Sequence, residues 1–388
     1  MLPPSIREIS DFSGKRVLLR LDLNVPLTAH GEVADDFRIR KALPTLNLLR
    51  ERGALVRAVS HIDGAGGSLR AVADYMVRHL GVAVTFLPEI AHQQAALLLE
   101  RQSPREIVLF ENIRREEGEE RNDPAFAERL AALGDLYVND AFSASHRSHA
   151  SIVGIPQLLP SYAGLQFIDE VDQLSQAFDP PRPFIFIIGG IKFDTKLPLV
   201  RKFLEIADTV FVGGALANDI FRARGLSVGY SVVSEGGLDL SDITSHPKLL
   251  TPCDVRVCPA DDRREEVARF ARLEDVRTDE TIMDAGPATL EALRERLSSA
   301  VFIVWNGPLG DYEDGFGEGT KALAEMVARA AGRSVVGGGD TVAAIGGLKL
   351  EEQFTFVSTG GGAMLDFLAN GTLPGIEALR RDLPDSGE

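Results

Sequence analysis

Two sets of residues in this chain have the types and spacing to do chemistry, and both follow short apolar runs. In the first half the runs end in polar and charged groups. These are Asp22 and Asn24 after RVLLRL, His61 after ALVRAVS, Asn112 and Arg114 after IVLF, and Asn139, Asp140, His146, Arg147 and His149 after DLYV. In the second half they end in glycine: Gly189-Gly190, Gly213-Gly214, Gly337-Gly338-Gly339 and Gly360-Gly361-Gly362, with WNGPLG after a fifth run. Arg, His and Asn side chains in loops suit a small anion. Glycine turns at strand-to-helix junctions let backbone N–H groups approach a phosphate, and the helix dipole adds attraction. One glycine pair is an ordinary tight turn. Four such turns in one half point to a phosphate-bearing ligand.

The charged residues beside those turns sharpen the reading. The chain has eight lysines, none between Lys41 and Lys192. Lys192 and Lys196 follow the Gly189-Gly190 turn four residues apart, on one face of any helix that starts there. In so lysine-poor a chain the pair reads as a phosphate clamp. Asp340, directly after three glycines, can bind Mg²⁺, cap the next helix, or do both. No G-x-x-x-x-G-K-[ST] occurs, and no G-x-G-x-x-G follows a strand to open a helix, which disfavours a P-loop and a dinucleotide fold. SHRSH at 145–149 sits in a loop, but His146 and His149 lack a third ligand for zinc. REEGEER at 115–121 reads as surface Arg paired with Glu, and Trp305 as core or a pocket wall.

The elements that must position these groups alternate. Strands are expected at 16–23, 54–60, 106–110, 135–138, 183–188, 209–212, 300–304, 333–336 and 353–357, most of them continuous apolar runs of the kind covered on both faces. Helices are expected at 38–51, 69–80, 124–133, 163–178, 197–206, 289–297 and 319–331. Strand then helix, repeated, is an α/β fold with parallel sheets, and ligands bind beyond the carboxyl ends of such strands. DPPRP at 179–183 ends the 163–178 helix and marks the break between halves.

Composition bounds the class. At 388 residues, 45% hydrophobic and 25% charged, the chain is globular and long enough for two domains. No apolar run is long enough for a bilayer-spanning helix, and MLPPSIREIS is not a secretory signal. Two cysteines, Cys253 and Cys258, suggest a reducing compartment, so the expected location is cytoplasmic. A net charge of −16 argues against nucleic acid as a partner but leaves a small anionic substrate open. One half built for a small anion and another for a polyphosphate make a phosphotransferase layout. No nucleophile constellation is evident, so direct transfer is expected.

Ten segments in order then carry a family likeness: RVLLRLDLNVPL, DFRIRKALPTL, VLFENIRREEGEERNDPAFAERLA, DLYVNDAFSASHRSHASIVGI, GGIKFDTK, FVGGALAN, VWNGPLGDYEDGFGEGT, VVGGGDT, VSTGGGAMLDFL and LPGIEAL. Over essentially its whole length the chain resembles phosphoglycerate kinases. The resemblance implies two doubly wound, Rossmann-like parallel-sheet domains joined by a hinge helix. It implies reversible phosphoryl transfer between 1,3-bisphosphoglycerate with ADP and 3-phosphoglycerate with ATP, with Mg²⁺, in a monomer that closes its lobes. The domains implied are 1–162 with the tail 367–388, the helix 163–178, and 179–366. Asp22, Asn24, Arg38, His61, Arg114 and Arg147 would hold the glycerate, within a basic patch that includes Arg20 and His146. Lys192, Lys196, Gly213, Gly214, Asn306, Glu313, Gly337, Gly338, Gly339, Asp340 and Thr341 would meet the nucleotide, with Asp340 on the metal. Arg38, Lys192, Gly338 and Gly361 would form the catalytic set.

The chain departs from the family pattern at one loop. Where the family reads S-H-L-G-R-P and uses that Arg as a substrate ligand, this chain reads SHIDGAGG, with Gly64 at the Arg position and Asp63 adding negative charge. A lost charge-assisted hydrogen bond is worth about 1.5–3 kcal/mol if nothing replaces it. GGAKVSDK has become GGIKFDTK, which keeps both lysines, and the usual Met is Leu216. The altered loop leaves two further readings: a kinase for another small carboxylate or acyl phosphate, and a non-catalytic nucleotide-binding homologue.

Overall fold

The structure is a computed structural model that describes residues 2–64, 67–89, 98–191, 193–312 and 314–380. It divides into two compact units. One comprises the chain up to Asp172 together with the chain from Asn370, and the other comprises Gln173–Ala369.

The first unit is built on a six-stranded parallel sheet. Its strands are β1 (Arg16–Arg20), β2 (Leu55–Val59), β3 (Val84–Leu87), β4 (Ile107–Phe110), β5 (Leu136–Asn139) and β6 (Ser161–Ala163), in the order β3-β4-β2-β1-β5-β6. Burial explains the sequence pattern: Val17, Leu19, Val56, Ala58, Leu109 and Val138 are all in the core. Helices cover the sheet, and their ends follow local chemistry. Pro124–Ala131 starts after Asp123, whose carboxylate accepts the Phe126 N–H at 2.9 Å. Arg70–Leu80 ends at Gly81 in the left-handed conformation that glycine adopts at no steric cost. The returning chain packs its helix Pro374–Leu379 here, with the Gly375 N–H donating to Ser145 O at 2.9 Å.

The second unit has its own six-stranded parallel sheet, of β7 (Phe184–Ile188), β8 (Thr209–Val212), β9 (Leu249–Leu250), β13 (Phe302–Asn306), β14 (Arg333–Gly337) and β15 (Phe356–Val357). The order is β15-β14-β13-β7-β8-β9. Beside it stands a three-stranded antiparallel sheet of β10 (Asp254–Pro259), β11 (Arg269–Arg272) and β12 (Glu280–Ala285), in the order β11-β10-β12. All nine expected strands form within a few residues of their expected bounds. The antiparallel sheet, β3, β6 and β9 come in addition. Trp305 is a core residue whose Nε1 donates to Gly307 O at 2.8 Å. Among the described residues no helix is long and apolar enough to cross a membrane.

Asp140, at the end of β5, carries a pH consequence. Its Oδ1 accepts the Phe167 N–H at 3.1 Å, while Oδ2 is buried without a partner. Burial pushes this carboxyl from 3.8 up to about 7. A carboxyl raised in this way keeps its proton in the folded state across a window where the unfolded chain has lost it. Stability therefore falls as pH rises from about 4 to about 7. Asp140→Asn is expected to flatten that fall by about 1–3 kcal/mol, read as the difference in urea stability between pH 4.5 and pH 7.5. An unchanged difference would show that Asp140 ionises normally.

Candidate functional site

Five of the six residues expected to hold a small anion lie just beyond the carboxyl ends of β1, β2, β4 and β5, Arg114 among them in the short 3-10 turn Ile113–Arg115, and Arg38 lies in the first turn of the helix Phe37–Glu51. That placement follows from topology. A parallel sheet delivers all its strand ends to one edge, so residues far apart in sequence share it. Asp22 is tied to Arg38 by an ion pair and accepts the Ser143 hydroxyl at 2.7 Å. Asn24 uses both ends of its amide on Asp63: Nδ2 donates to Asp63 Oδ2 at 2.8 Å, and Oδ1 accepts the Asp63 N–H at 2.8 Å. Arg114 pairs with the other oxygen of the same carboxylate.

Behind these groups lies a buried polar layer. Arg20 is 1% exposed. Its Nε donates to Ser151 Oγ at 3.0 Å and its Nη2 to His61 Nδ1 at 2.9 Å. Arginine has no acceptor, so His61 must present a lone pair there and is neutral, with its proton on Nε2. Burial, reinforced by Arg20, Arg114 and Arg38, holds the His61 imidazole far below its ordinary pKa. His149 is lowered too, first by burial and then by Arg114. Arg147 Nε donates to His146 Nε2 at 3.3 Å. Arg114 Nε has only an ion-pair contact with Glu120 at 3.5 Å, Arg114 Nη2 is buried without a hydrogen-bond acceptor, and His146 Nδ1 is likewise unpartnered. Buried donors without partners are rare in folded proteins and suit a bound anion.

The stretch 115–121 departs from the surface reading in part. Arg121 and Glu117 form an exposed pair. Glu119 is instead completely buried, accepting the Ser151 N–H at 2.9 Å and the Ser151 hydroxyl at 2.5 Å.

In the second unit the glycine turns converge on one cavity of about 440 Å³. Gly190, Lys196, Gly214, Asn306, Gly338, Gly339, Asp340, Gly361 and Gly362 line it. Gly190 has φ +101°, and a Cβ there would stand 2.6 Å from Lys196 Nζ. Gly338 has φ +103° and precedes the helix Gly339–Leu348, while a second helix starts at Gly362. Two helix N-termini thus open on the same space. Lys196 donates to Gly189 O at 2.8 Å, and burial lowers its pKa against the opposing pull of Asp340.

Other expected residues stand behind the cavity wall. Thr341 is buried, and its hydroxyl accepts the Gly307 N–H at 3.0 Å. Gly213 and Gly337 are buried at the ends of β8 and β14. Lys192 and Glu313 lie outside the described residues. Thr281 to Ala285 of β12, Phe221 and Val232 also line the cavity, from segments the sequence does not single out, as does Tyr312 of the VWNGPLGDYEDGFGEGT segment. Mg²⁺ suits this geometry. It takes one or two carboxylates together with phosphates and waters. Asp340 offers one exposed carboxylate on the cavity wall, and no group of three or more His, Cys, Asp or Glu that could hold a metal occurs among the described residues.

A family model described as phosphoglycerate kinase matches residues 6–371. A protein of Maricaulis maris (strain MCS10) named phosphoglycerate kinase is 42% identical, over 95% of this chain and 96% of its own length. Another, of Desulforudis audaxviator (strain MP104C), is 41% identical over 98% of this chain and 100% of its own. The solved phosphoglycerate kinase from Coxiella burnetii aligns with a TM-score of 0.81 at 34% identity, covering 97% of this chain and 98% of that one. The one from Pyrococcus horikoshii OT3 aligns with a TM-score of 0.85 at 30% identity, with the same coverage.

Proposed function

The chain belongs to the phosphoglycerate kinase family, and on that premise we propose how its two sites divide the work. The activity is reversible phosphoryl transfer between 1,3-bisphosphoglycerate with ADP and 3-phosphoglycerate with ATP, a phosphotransferase reaction of glycolysis with a carboxyl group as acceptor. These matches do not favour a kinase for another acceptor or a non-catalytic homologue.

Asp22, Asn24, Arg38, His61, Arg114 and Arg147 hold the glycerate. The observation that carries this assignment is Arg114, whose buried Nη2 lacks an acceptor among other cationic side chains. Neutral His61 can donate Nε2–H to a substrate oxygen without adding charge. The cavity of the second unit holds the nucleotide. There Lys196, Lys192 and the N–H groups of Gly338, Gly339, Gly361 and Gly362 meet its phosphates, and Asp340 holds Mg²⁺. The metal neutralises phosphate charge when bound. Transfer is direct and in line, without a covalent intermediate. It spreads charge over the oxygens of the moving group, which Arg38 and Lys192 offset. Closure of the two units about the 163–178 helix excludes water, and the enzyme works as a cytoplasmic monomer.

Steady-state turnover with 3-phosphoglycerate and MgATP tests the assignment. Robust turnover, saturable in each substrate, is the expected result. Turnover no greater than that of an Arg38→Ala variant, with nucleotide binding intact, would overturn it.

A further inference from the structure

We infer that Asp63 is a built-in anion that occupies the glycerate site of the free enzyme and sets its affinity for substrate. The inference rests on the assignment of Asn24 and Arg114 to that site. Among the described residues Asp63 is the one acidic residue bonded to both: one carboxylate oxygen takes the Asn24 amide at 2.8 Å, and the other pairs with Arg114. A carboxylate placed between a guanidinium and an amide is what an anionic group of the substrate would present to the same donors.

The loop is built to keep it there. Asn112 Nδ2 donates to Ile62 O at 2.7 Å and to Gly67 O at 3.1 Å, clamping both flanks of Asp63. Asn112 Oδ1 also accepts the Arg114 N–H at 3.1 Å, so one side chain registers the acid against its arginine. Gly64 follows with φ +103°, a conformation that L side chains rarely adopt. An arginine cannot simply be restored at that position with this backbone. The change from the family loop therefore both removes a cation and inserts a competing anion.

The Asp63 side chain is 57% exposed, whereas that of Arg114 is 14% exposed. The acid can swing into solvent, but the arginine cannot leave. An incoming anion therefore exchanges with Asp63 and spends part of its binding energy on displacing it.

The test compares wild type with Asp63→Asn and Asp63→Ala. Both variants should lower KM and the equilibrium Kd for 3-phosphoglycerate by about three- to tenfold, as expected for release of a partly exposed ion pair. They should leave kcat and the MgATP KM unchanged, and inorganic phosphate should become a stronger competitive inhibitor. An unchanged or raised KM in both variants, with unchanged thermal stability, overturns the inference. Arg114→Ala separates it from the assignment beneath. If Arg114→Ala raises KM in wild type and abolishes the gain from Asp63→Asn, Asp63 acts through Arg114. If Arg114→Ala leaves KM unchanged, the site assignment itself falls.

Discussion

Arg38→Ala should lower kcat by about 10²–10³ while the protein folds normally, the size of effect seen when one donor to a developing oxyanion is removed. Arg38 is the cation proposed to offset charge on the moving group. It lies in the first turn of the helix Phe37–Glu51, and its side chain is 28% exposed beside Asp22. Its loss takes the ion-pair partner from Asp22, which is buried. Asp22 keeps the Ser143 hydroxyl and the Asn24 N–H, so the protein should still fold, with the thermal transition lowered by roughly a few degrees. Arg38→Lys tests geometry against charge. A lysine keeps the charge but loses the planar fork, so only part of kcat should return. A change confined to KM, with kcat intact, would make Arg38 a ground-state binder and move the charge stabilisation to Lys192 or to backbone groups.

What was legible in the sequence follows from what each element buries. The strand FIFII at 184–188 is buried at all five positions, so its run is continuous and readable. Strand β12, ETIMDA, carries Glu280, Thr281 and Asp284 into the interior, where Arg269 and backbone N–H groups satisfy the carboxylates. That tertiary satisfaction leaves no mark in a local window. The antiparallel sheet and the cavity wall it forms were missed for this reason. Glycine turns were legible because their chemistry lies in the backbone, and glycine identity reports backbone freedom directly. The loop around Asp63 was legible as an added charge. That its carboxylate meets Asn24 and Arg114 together depends on residues 39 and 51 positions away, joined only by the order of the parallel strands.

Glu119→Ala should cost the first unit about 3–5 kcal/mol, because it strands a buried guanidinium. Glu119 is fully buried, as is Arg20, and Ser151 links them. Arg20 Nε donates to Ser151 Oγ at 3.0 Å, and that hydroxyl donates to Glu119 at 2.5 Å. Burial pushes the Glu119 carboxyl up and the Arg20 guanidinium down, and each pulls the other back toward its charged form. Removing the acid leaves Arg20 without that compensation and Ser151 without two acceptors. Glu119→Gln should cost less, since an amide oxygen can still take one Ser151 bond. Glu117→Ala, two residues away in an exposed pair, should stay within about 0.5 kcal/mol of wild type. Trp305 belongs to the second unit, so the measurement is urea unfolding followed by hydrogen exchange at β1 and β5 rather than by tryptophan fluorescence. A double variant, Arg20→Met with Glu119→Leu, identifies the cause. If the loss is an unpaired charge, the double variant should recover stability relative to Glu119→Ala. If it is lost packing, the double variant should be no better. Either way Arg20→Met should raise the KM for 3-phosphoglycerate, because Arg20 holds His61 Nδ1 and so fixes the tautomer with its proton on Nε2, the donor proposed for the substrate.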